Sequence, residues 1–157
     1  MKNVIVPECI YLDTELKTQE EVFKFLANNL VKLDRGNDAE EIVKGFNQRE
    51  QEISTSINNG IAIPHCRNAA IIDATVMVVR NRTEVIWTDK EKVDLMFAPF
   101  VPASNKNQMH IRILAQVAQI IMEDQFIHLV RKAEKAEQVY FEMKPLNDVL
   151  KQEDISL

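Results

Sequence analysis

Glycine, cysteine and histidine are all scarce in this chain of 157 residues, which contains three, two and three of them respectively. The glycines form neither G-x-G-x-x-G nor G-x-x-x-x-G-K-[ST], so both common nucleotide-binding fingerprints are absent. The cysteines, Cys9 and Cys66, form no C-x-x-C pair, and two thiols make no disulfide framework. Because histidines and cysteines are scattered without the spacing of zinc ligands, we expect no metal and no cofactor.

Long basic runs and long apolar runs are also missing. The formal net charge is −5 and the pI is about 5.3, which argues against the phosphate-neutralising surface that a nucleic acid partner requires. The apolar runs are far shorter than the roughly 20 residues that cross a bilayer, and the first residues do not resemble a signal peptide. We therefore expect a cytoplasmic protein with no direct insertion into a membrane.

The composition is typical of a soluble globular protein, with 46% hydrophobic and 27% charged residues. A chain of this length suits one domain whose core is large enough to be stable unaided, and no internal linker interrupts it. We therefore predict a single domain over residues 1–157. Apolar runs of strand type alternate with helical patterns, which predicts an α/β fold with a mixed β-sheet flanked by helices.

Two helices near the start of the chain have clear beginnings. Thr18 is a suitable N-cap for a helix that ends near Lys32, because acidic residues occupy the first turn. Asp38 can cap a second helix that ends near Glu52. Pro99 indicates an edge, a bulge or an end in the last predicted strand. Later strands are expected at residues 74–79, 84–87 and 93–101, and later helices at 111–121, 123–132, 136–143 and 146–151.

A histidine directly follows an apolar run and a proline. Residues 61–63 have the pattern of a buried strand, and Pro64 ends it because proline cannot donate to a sheet ladder. His65 is therefore expected where the strand reaches the surface. A neutral imidazole at such a position is a competent nucleophile at cellular pH, and a structural histidine is the alternative for this residue taken alone.

The residues around His65 resemble the phosphorylation site of a known family. Residues 60–65 read Gly-Ile-Ala-Ile-Pro-His, which is similar to the signature of the mannitol/fructose-type IIA components of the bacterial phosphoenolpyruvate-dependent sugar phosphotransferase system. Residues 49–60 resemble the family's Arg-Glu…Thr…Asn-x-Gly approach, and residues 93–97 and 110–114 resemble its second block. Helix order agrees over roughly residues 4 to 150, so the resemblance implies the mannitol-type IIA fold of the fructose, mannitol and galactitol group.

That resemblance implies a phosphotransferase activity between proteins. His65 would accept a phosphoryl group from the phosphohistidine of HPr and pass it to a cysteine of a IIB component, which works with the membrane IIC component in sugar uptake. Neither a metal nor a nucleotide is required for such steps. Cys66 stands where the family often has glycine, and we expect it to be a bystander, because no hydroxyl follows it in residues 67–72.

The resemblance also implies roles for four other residues. Arg49 offers a guanidinium fork that suits phosphate oxygens, with a solvated arginine at a helix end as the alternative. His110 lies at the start of a helix, a natural anion site, and is assigned to hydrogen bonding or protonation of the phosphoryl group, with a capping histidine as the alternative. Thr55 and Asn59 are assigned to phosphate binding, although most polar loop residues are simply solvated.

Two other functions stay open on the sequence alone. A regulatory protein of the nitrogen-related IIA branch would also use His65, but its phosphorylation state would control partner proteins. A degenerate domain that acts only as an interaction module is disfavoured by the intact set of Arg49, His65 and His110. The transported sugar cannot be inferred, because in this scheme a IIA protein never touches it.

Overall fold

The computed structural model describes residues 2–151, apart from the side chain of Asn107, and centres on a mixed sheet of five strands, which confirms the predicted α/β class. The strands are β1 (Ile10–Thr14), β2 (Ile61–Ala62), β3 (Cys66–Asn68), β4 (Thr75–Thr88) and β5 (Glu91–Pro102). Their order is β1-β4-β5-β2, and β3 also pairs with β5. Only β4 and β5 are antiparallel neighbours in this sheet; β1 runs parallel to β4, and β2 and β3 run parallel to β5.

Five α-helices surround the sheet within the described residues. They are α1 (Gln19–Lys32), α2 (Ala39–Glu52), α3 (Met109–Ile121), α4 (Asp124–Lys132) and α5 (Ala136–Met143). Both predicted caps are confirmed, since Thr18 accepts from the Glu21 amide at 3.0 Å and Asp38 from the Glu41 amide at 3.2 Å. The helix expected at residues 146–151 is instead a 3-10 helix, Lys144–Asp148.

Helices cover both faces of the sheet. Phe100 of β5 packs edge-on against Phe46 of α2 with ring centroids 5.3 Å apart, whereas Phe97 lies 6.0 Å from Phe126 of α4. Because side chains alternate along a strand, Phe97 and Phe100 project to opposite faces. Phe23 of α1 stacks on Phe46 at 5.0 Å, so α1 and α2 form one layer and α4 belongs to the other.

The helices within the described residues differ in length and in apolar character. No single helix there has the length and apolar character needed to cross a bilayer. Helices α3 and α4 are long and apolar enough only when they are taken together, and they are bent by 82° relative to each other.

The two strands expected at residues 74–79 and 84–87 are one continuous strand, β4. The polar residues between them find partners that the sequence pattern does not reveal. Arg80 donates to the carbonyl oxygens of Leu12 at 3.0 Å, Val130 at 2.7 Å and Ala133 at 2.8 Å. Asn81 accepts from the Leu16 amide at 2.7 Å, and its own amide donates back to the Leu16 carbonyl at 2.8 Å. With these groups satisfied, the strand continues through a segment that resembles a turn.

Pro99 lies inside β5 rather than at its end. Residue 62 pairs with residue 96 and residue 66 with residue 100, so the register places Pro99 opposite His65, in the gap between β2 and β3. A proline has no N–H to donate to a neighbouring strand, and here the neighbouring strand is interrupted by Pro64. The two prolines thus leave an opening in the edge of the sheet, and His65 lies in it.

Candidate functional site

Hydrogen bonds from Arg131 of α4 hold the turn at residues 59–60, which leads to this opening. Arg131 donates from Nη1 to Asp94 Oδ1 at 3.0 Å and from Nη2 to the Asn59 carbonyl at 2.7 Å. Gly60 has a φ of +78°, and a Cβ there would lie 2.8 Å from Asp94 Oδ1. The turn therefore requires glycine at position 60 for both its conformation and its close approach to Asp94.

The imidazole of His65 is held in one tautomer. Its Nδ1 lies 2.7 Å from the carbonyl oxygen of Ile63, and a carbonyl can only accept, so Nδ1 carries the proton. The lone pair is consequently on Nε2. The residue is buried, with 8% of its surface exposed, so the ring orientation is also restricted by packing.

Arg49 approaches the free nitrogen of His65 from the last turn of α2. Its Nε donates to His65 Nε2 at 3.0 Å, and its Nη1 donates to the Ile53 carbonyl at 2.9 Å. The second bond fixes the guanidinium by tying it to the residue that follows the helix. The remaining N–H groups of the fork can bind an anion on the same side of the imidazole.

His110 completes the other side of the site from the first turn of α3. Its ring centroid is 5.5 Å from that of His65, with an angle of 45° between the ring planes. The backbone N–H of His110 donates to Asn105 Oδ1 at 2.8 Å, so the asparagine side chain fixes the start of the helix. The Nδ1 atom of His110 is buried and has no hydrogen-bond partner in the described part of the chain.

The three predicted residues converge on one cavity with a volume of about 190 Å³. It is lined by the C-terminal half of α2, by residues 65–67 and by the start of α3. The lining residues are Gly45, Gln48, Arg49, Glu52, His65, Cys66, Arg67 and His110. No group of three or more His, Cys, Asp or Glu side chains that could hold a metal ion occurs in the described part of the chain. The arrangement suits an anion, because the guanidinium groups of Arg49 and Arg67 outnumber the single carboxylate, that of Glu52.

Burial and the nearby cations lower the pKa of both histidines in the cavity. For His65 burial has the largest effect, and the charges of Arg49 and His110 add to it, while the Ile63 carbonyl and Glu50 act in the opposite direction. The pKa of His110 is lowered by burial, then by Arg67 and Arg49. Both imidazoles are therefore neutral near pH 7, and Nε2 of His65 keeps an unprotonated lone pair, which accepts the bond from Arg49.

A close contact between α2 and β3 sets how near Arg49 comes to His65. A Cβ on Gly45 would lie 2.3 Å from the sulfur of Cys66, so the helix can approach the strand only because residue 45 is glycine. Arg49 lies one helical turn after Gly45, and His65 immediately precedes Cys66. Burial raises the pKa of the Cys66 thiol to about 12, so it stays protonated and serves as a packing residue.

A half-buried carboxylate, that of Glu50, supports the segment that carries His65. Glu50 accepts from the backbone N–H of Thr55 and from its hydroxyl, both at 2.6 Å, and from Trp87 Nε1 at 3.2 Å. The Thr55 carbonyl in turn accepts from the Ile63 amide at 2.9 Å. The Ile63 carbonyl accepts from Nδ1 of His65. A chain of hydrogen bonds therefore runs from Glu50 through Thr55 and Ile63 to the nitrogen that carries the proton of the imidazole.

Two residues assigned to phosphate binding from the sequence lie elsewhere. The Thr55 hydroxyl donates to Glu50 Oε1, and Thr55 does not line the cavity. Asn59 has a φ of 59°, an exposed side chain and a carbonyl that binds Arg131, also outside the cavity. Conversely, Arg67 lines the cavity and was not singled out from the sequence, although it follows His65 by two residues, the period at which strand side chains share a face.

Comparison with known proteins gives a match over nearly the whole chain. The profile described as "Phosphoenolpyruvate-dependent sugar phosphotransferase system, EIIA 2" matches residues 3–144. Multiphosphoryl transfer protein 2 of Escherichia coli K12 is 27% identical over 136 residues, which make up 87% of this chain but 16% of that protein. The PTS system fructose-specific EIIA component of Haloferax volcanii is 27% identical over 140 residues, 87% of this chain and 90% of that protein.

Nitrogen regulatory proteins are similar to the same extent. The Nitrogen regulatory protein of Klebsiella oxytoca is 27% identical over 143 residues, 89% of this chain and 87% of that protein. The crystal structure of Nitrogen Regulatory Protein IIA-Ntr from Neisseria meningitidis superposes with a TM-score of 0.79 and 25% identity, covering 89% of this chain and 96% of that one.

Mannitol IIA proteins share the fold at lower identity. The crystal structure of IIA mannitol from Escherichia coli has a TM-score of 0.72 and 19% identity, and the match covers 88% of this chain and 97% of that one. The complex of enzyme IIA-Mtl and phosphorylated enzyme IIB-Mtl from Escherichia coli has a TM-score of 0.72 and 18% identity, and the match covers 87% of this chain and 94% of that one. The expected mannitol-type fold is therefore confirmed.

Proposed function

Because this chain belongs to the phosphoenolpyruvate-dependent sugar phosphotransferase system EIIA type 2 family, we propose that it is a phosphocarrier. His65 accepts a phosphoryl group from phospho-HPr and passes it to a cysteine of a IIB component, in support of sugar uptake through the membrane IIC component. The observation that carries this proposal is the Nδ1–H bond to the Ile63 carbonyl, which leaves a neutral nucleophile on Nε2 of His65.

Each transfer is a displacement at phosphorus. In the first, the Nε2 lone pair of His65 attacks in line, the Nε2–P bond forms, and the donor's N–P bond breaks with its electron pair on the donor imidazole. In the second, a IIB thiolate forms an S–P bond while the Nε2–P bond breaks and its electron pair returns to His65. Atoms and electrons balance without another reactant, so catalysis consists of positioning and charge stabilisation.

Arg49 supplies that stabilisation on the α2 side. Once phosphorus occupies Nε2, the nitrogen no longer accepts a bond from Arg49, and the Nε–H is free to turn to a phosphoryl oxygen. The bond from Nη1 to the Ile53 carbonyl keeps the guanidinium in place during this exchange. The charge that develops on the equatorial oxygens is thus met by a donor that is already oriented.

His110 supplies a second donor from the α3 side. A buried N–H without a partner is rarer in proteins than a buried acceptor without one, so the proton belongs on Nε2 and not on the buried Nδ1. The Nε2–H of His110 is then the group that faces a ligand in the cavity. Thr55 and Asn59 contribute indirectly. The Thr55 carbonyl accepts from the Ile63 amide, and the Asn59 carbonyl binds Arg131, which holds the turn that leads to His65.

Two exposed isoleucines flank the site and form its docking surface for partners. Ile53, at 68% exposure, provides the carbonyl that holds Arg49, and Ile111, at 60%, follows His110 directly. HPr and the IIB component must use this surface in turn, which requires a modest, transient interface. We place the protein in the cytoplasm, where both partners act, and treat residues 1–157 as one domain.

Regulation is the second candidate function. It is favoured by the similarity to nitrogen regulatory proteins: the Klebsiella oxytoca protein is 27% identical, as is the fructose-specific component, and the Neisseria meningitidis protein is 25% identical. In that case His65 is phosphorylated in the same way, but the phosphorylated and free forms bind different proteins. The two functions differ in whether a IIB cysteine is a productive acceptor.

Labelling by phospho-HPr tests the proposal. The protein should take up phosphate that is labile in acid and stable in base, and His65→Ala should abolish the uptake. His128→Ala is the matched control, because His128 is an exposed histidine outside the cavity and its loss should leave labelling intact. Labelling of the His65→Ala protein would rule out the assignment. Transfer from the labelled protein to candidate IIB components then separates transport from regulation.

A further inference from the structure

Arg67 lies at the mouth of the cavity with its guanidinium uncommitted. In β3 the side chains on either side of it turn toward α2: the Cys66 sulfur lies 3.7 Å from the Ile42 carbonyl, and the Asn68 amide donates to the Glu41 carbonyl at 3.4 Å. By strand alternation Arg67 projects away from α2. It nevertheless lines the same cavity as His65, so this cavity receives Arg67 from β3 and Arg49 from α2.

No internal contact accounts for this arginine. Its side chain is exposed, and it has no hydrogen bond and no ion pair with any group that the structure describes. Other arginines in the chain form salt bridges: Arg82 pairs with Asp13, and Arg131 pairs with Asp94. The cavity also contains the carboxylate of Glu52, with which Arg67 forms no salt bridge. A charged side chain that lines a cavity without a partner is available to a ligand.

The charge of the phosphorylated site explains why a second guanidinium is useful. A phosphoryl group on a side chain has a charge of about −1.5 to −2 near pH 7. Arg49 supplies one positive charge and uses part of its fork on the Ile53 carbonyl, while Glu52 adds a negative charge to the same cavity. With both histidines neutral, Arg49 alone leaves the phosphoryl group under-compensated.

We infer that Arg67 is a second phosphate-binding residue of this site, whose guanidinium contacts the phosphoryl group on His65 from the β3 side of the cavity. The inference rests on the proposed phosphorylation of His65. The effect of Arg67 on the pKa of His110, which is larger than that of Arg49, is consistent with its position near the α3 wall of the cavity.

The test uses the phosphorylated protein without any partner. Phosphoramidate, a small N–P donor, is used to phosphorylate the wild type and the variants Arg67→Gln, Arg67→Lys and Arg82→Gln. The second pKa of the phosphoryl group is then measured by ³¹P NMR titration. Arg67→Gln should raise that pKa, since a nearby cation favours the dianion, and Arg67→Lys should restore it. Arg82→Gln, an exposed arginine outside the cavity, should leave it unchanged.

Transfer kinetics give an independent readout. For Arg67→Gln the rate constant for transfer within the complex with an acceptor should fall on the order of tenfold, less than for a buried donor because the side chain is exposed. An unchanged phosphoryl pKa and rate in Arg67→Gln would overturn the inference, as would a change confined to the KM for the partner. If phosphoramidate does not label His65 of the wild type, the proposed function fails first, and this inference with it.

Discussion

Arg49 Nε donates a 3.0 Å hydrogen bond to Nε2 of His65, so a guanidinium occupies the position where the phosphoryl group is proposed to bind. This one bond has two consequences. The positive charge disfavours protonation of His65 and keeps it a nucleophile. The same guanidinium is already oriented toward the oxygens that arrive with phosphorus. Only the Nε–H of Arg49 has to turn away from Nε2 when phosphorus arrives, while the bond from Nη1 to the Ile53 carbonyl holds the rest of the guanidinium beside His65.

Replacing His110 by alanine should slow transfer while leaving the fold intact. His110 is only half-buried, and its ring makes no hydrogen bond within the described residues, so its removal breaks no internal contact of that kind. Loss of one oriented donor typically raises the barrier by about 3 kcal/mol, which is on the order of a hundredfold in rate. Rapid-quench transfer rates and thermal unfolding measure the two effects. Equal rates for His110→Ala and wild type would remove His110 from the mechanism.

Replacing Gly45 by alanine should separate α2 from β3 and so weaken the contact of Arg49 with His65. The added Cβ would lie 2.3 Å from the Cys66 sulfur, and overpacking of this kind costs about 1–3 kcal/mol. In a Cys66→Ala background the nearest remaining atom of residue 66 is its Cβ, at 3.8 Å. There the same substitution should be neutral or stabilising by up to about 1 kcal/mol, because alanine favours helix.

A double-mutant cycle measures this coupling. Urea unfolding gives the free energies, and labelling rates show whether the position of Arg49 recovers in the double variant. Additive effects of Gly45→Ala and Cys66→Ala on both quantities would show that the close contact does not set the geometry of the site.

The titration of His65 should have its midpoint below the ordinary value of 6.5. Burial and the charges of Arg49 and His110 lower the pKa in the folded state. As pH falls, the unfolded chain therefore binds a proton first, so this group's contribution to stability is present above pH 6.5 and is lost as pH falls through the folded pKa. NMR of the ring protons measures the midpoint. Arg49→Gln should raise it, Arg82→Gln should not, and a wild-type midpoint at or above 6.5 would contradict this account.

The helices that carry the site were predictable from sequence because local signals define them. Thr18 and Asp38 cap α1 and α2 through bonds to residues three positions away. Arg49 at the end of α2 and His110 at the start of α3 were predicted to meet at His65, and the structure brings them together. That prediction rested on the resemblance, since no local pattern relates helix ends so distant in the chain.

The features that the sequence did not reveal depend on distant contacts. The continuity of β4 depends on Arg80 and its carbonyl acceptors at positions 12, 130 and 133. The location of Asn59 depends on Arg131, 72 residues away. Arg67 is different, because the alternation of strand side chains after His65 was visible in the sequence, although β3 itself was too short to predict.

The most direct measurement is to identify the atom that carries phosphate after labelling by phospho-HPr. Protein labelled with ¹⁵N-histidine and analysed by ¹H–¹⁵N and ³¹P NMR distinguishes the two ring nitrogens. The account predicts phosphorus on Nε2 of His65, with Nδ1 still protonated and bound to the Ile63 carbonyl. Phosphate on Nδ1 of His65, or on any other residue, would contradict it.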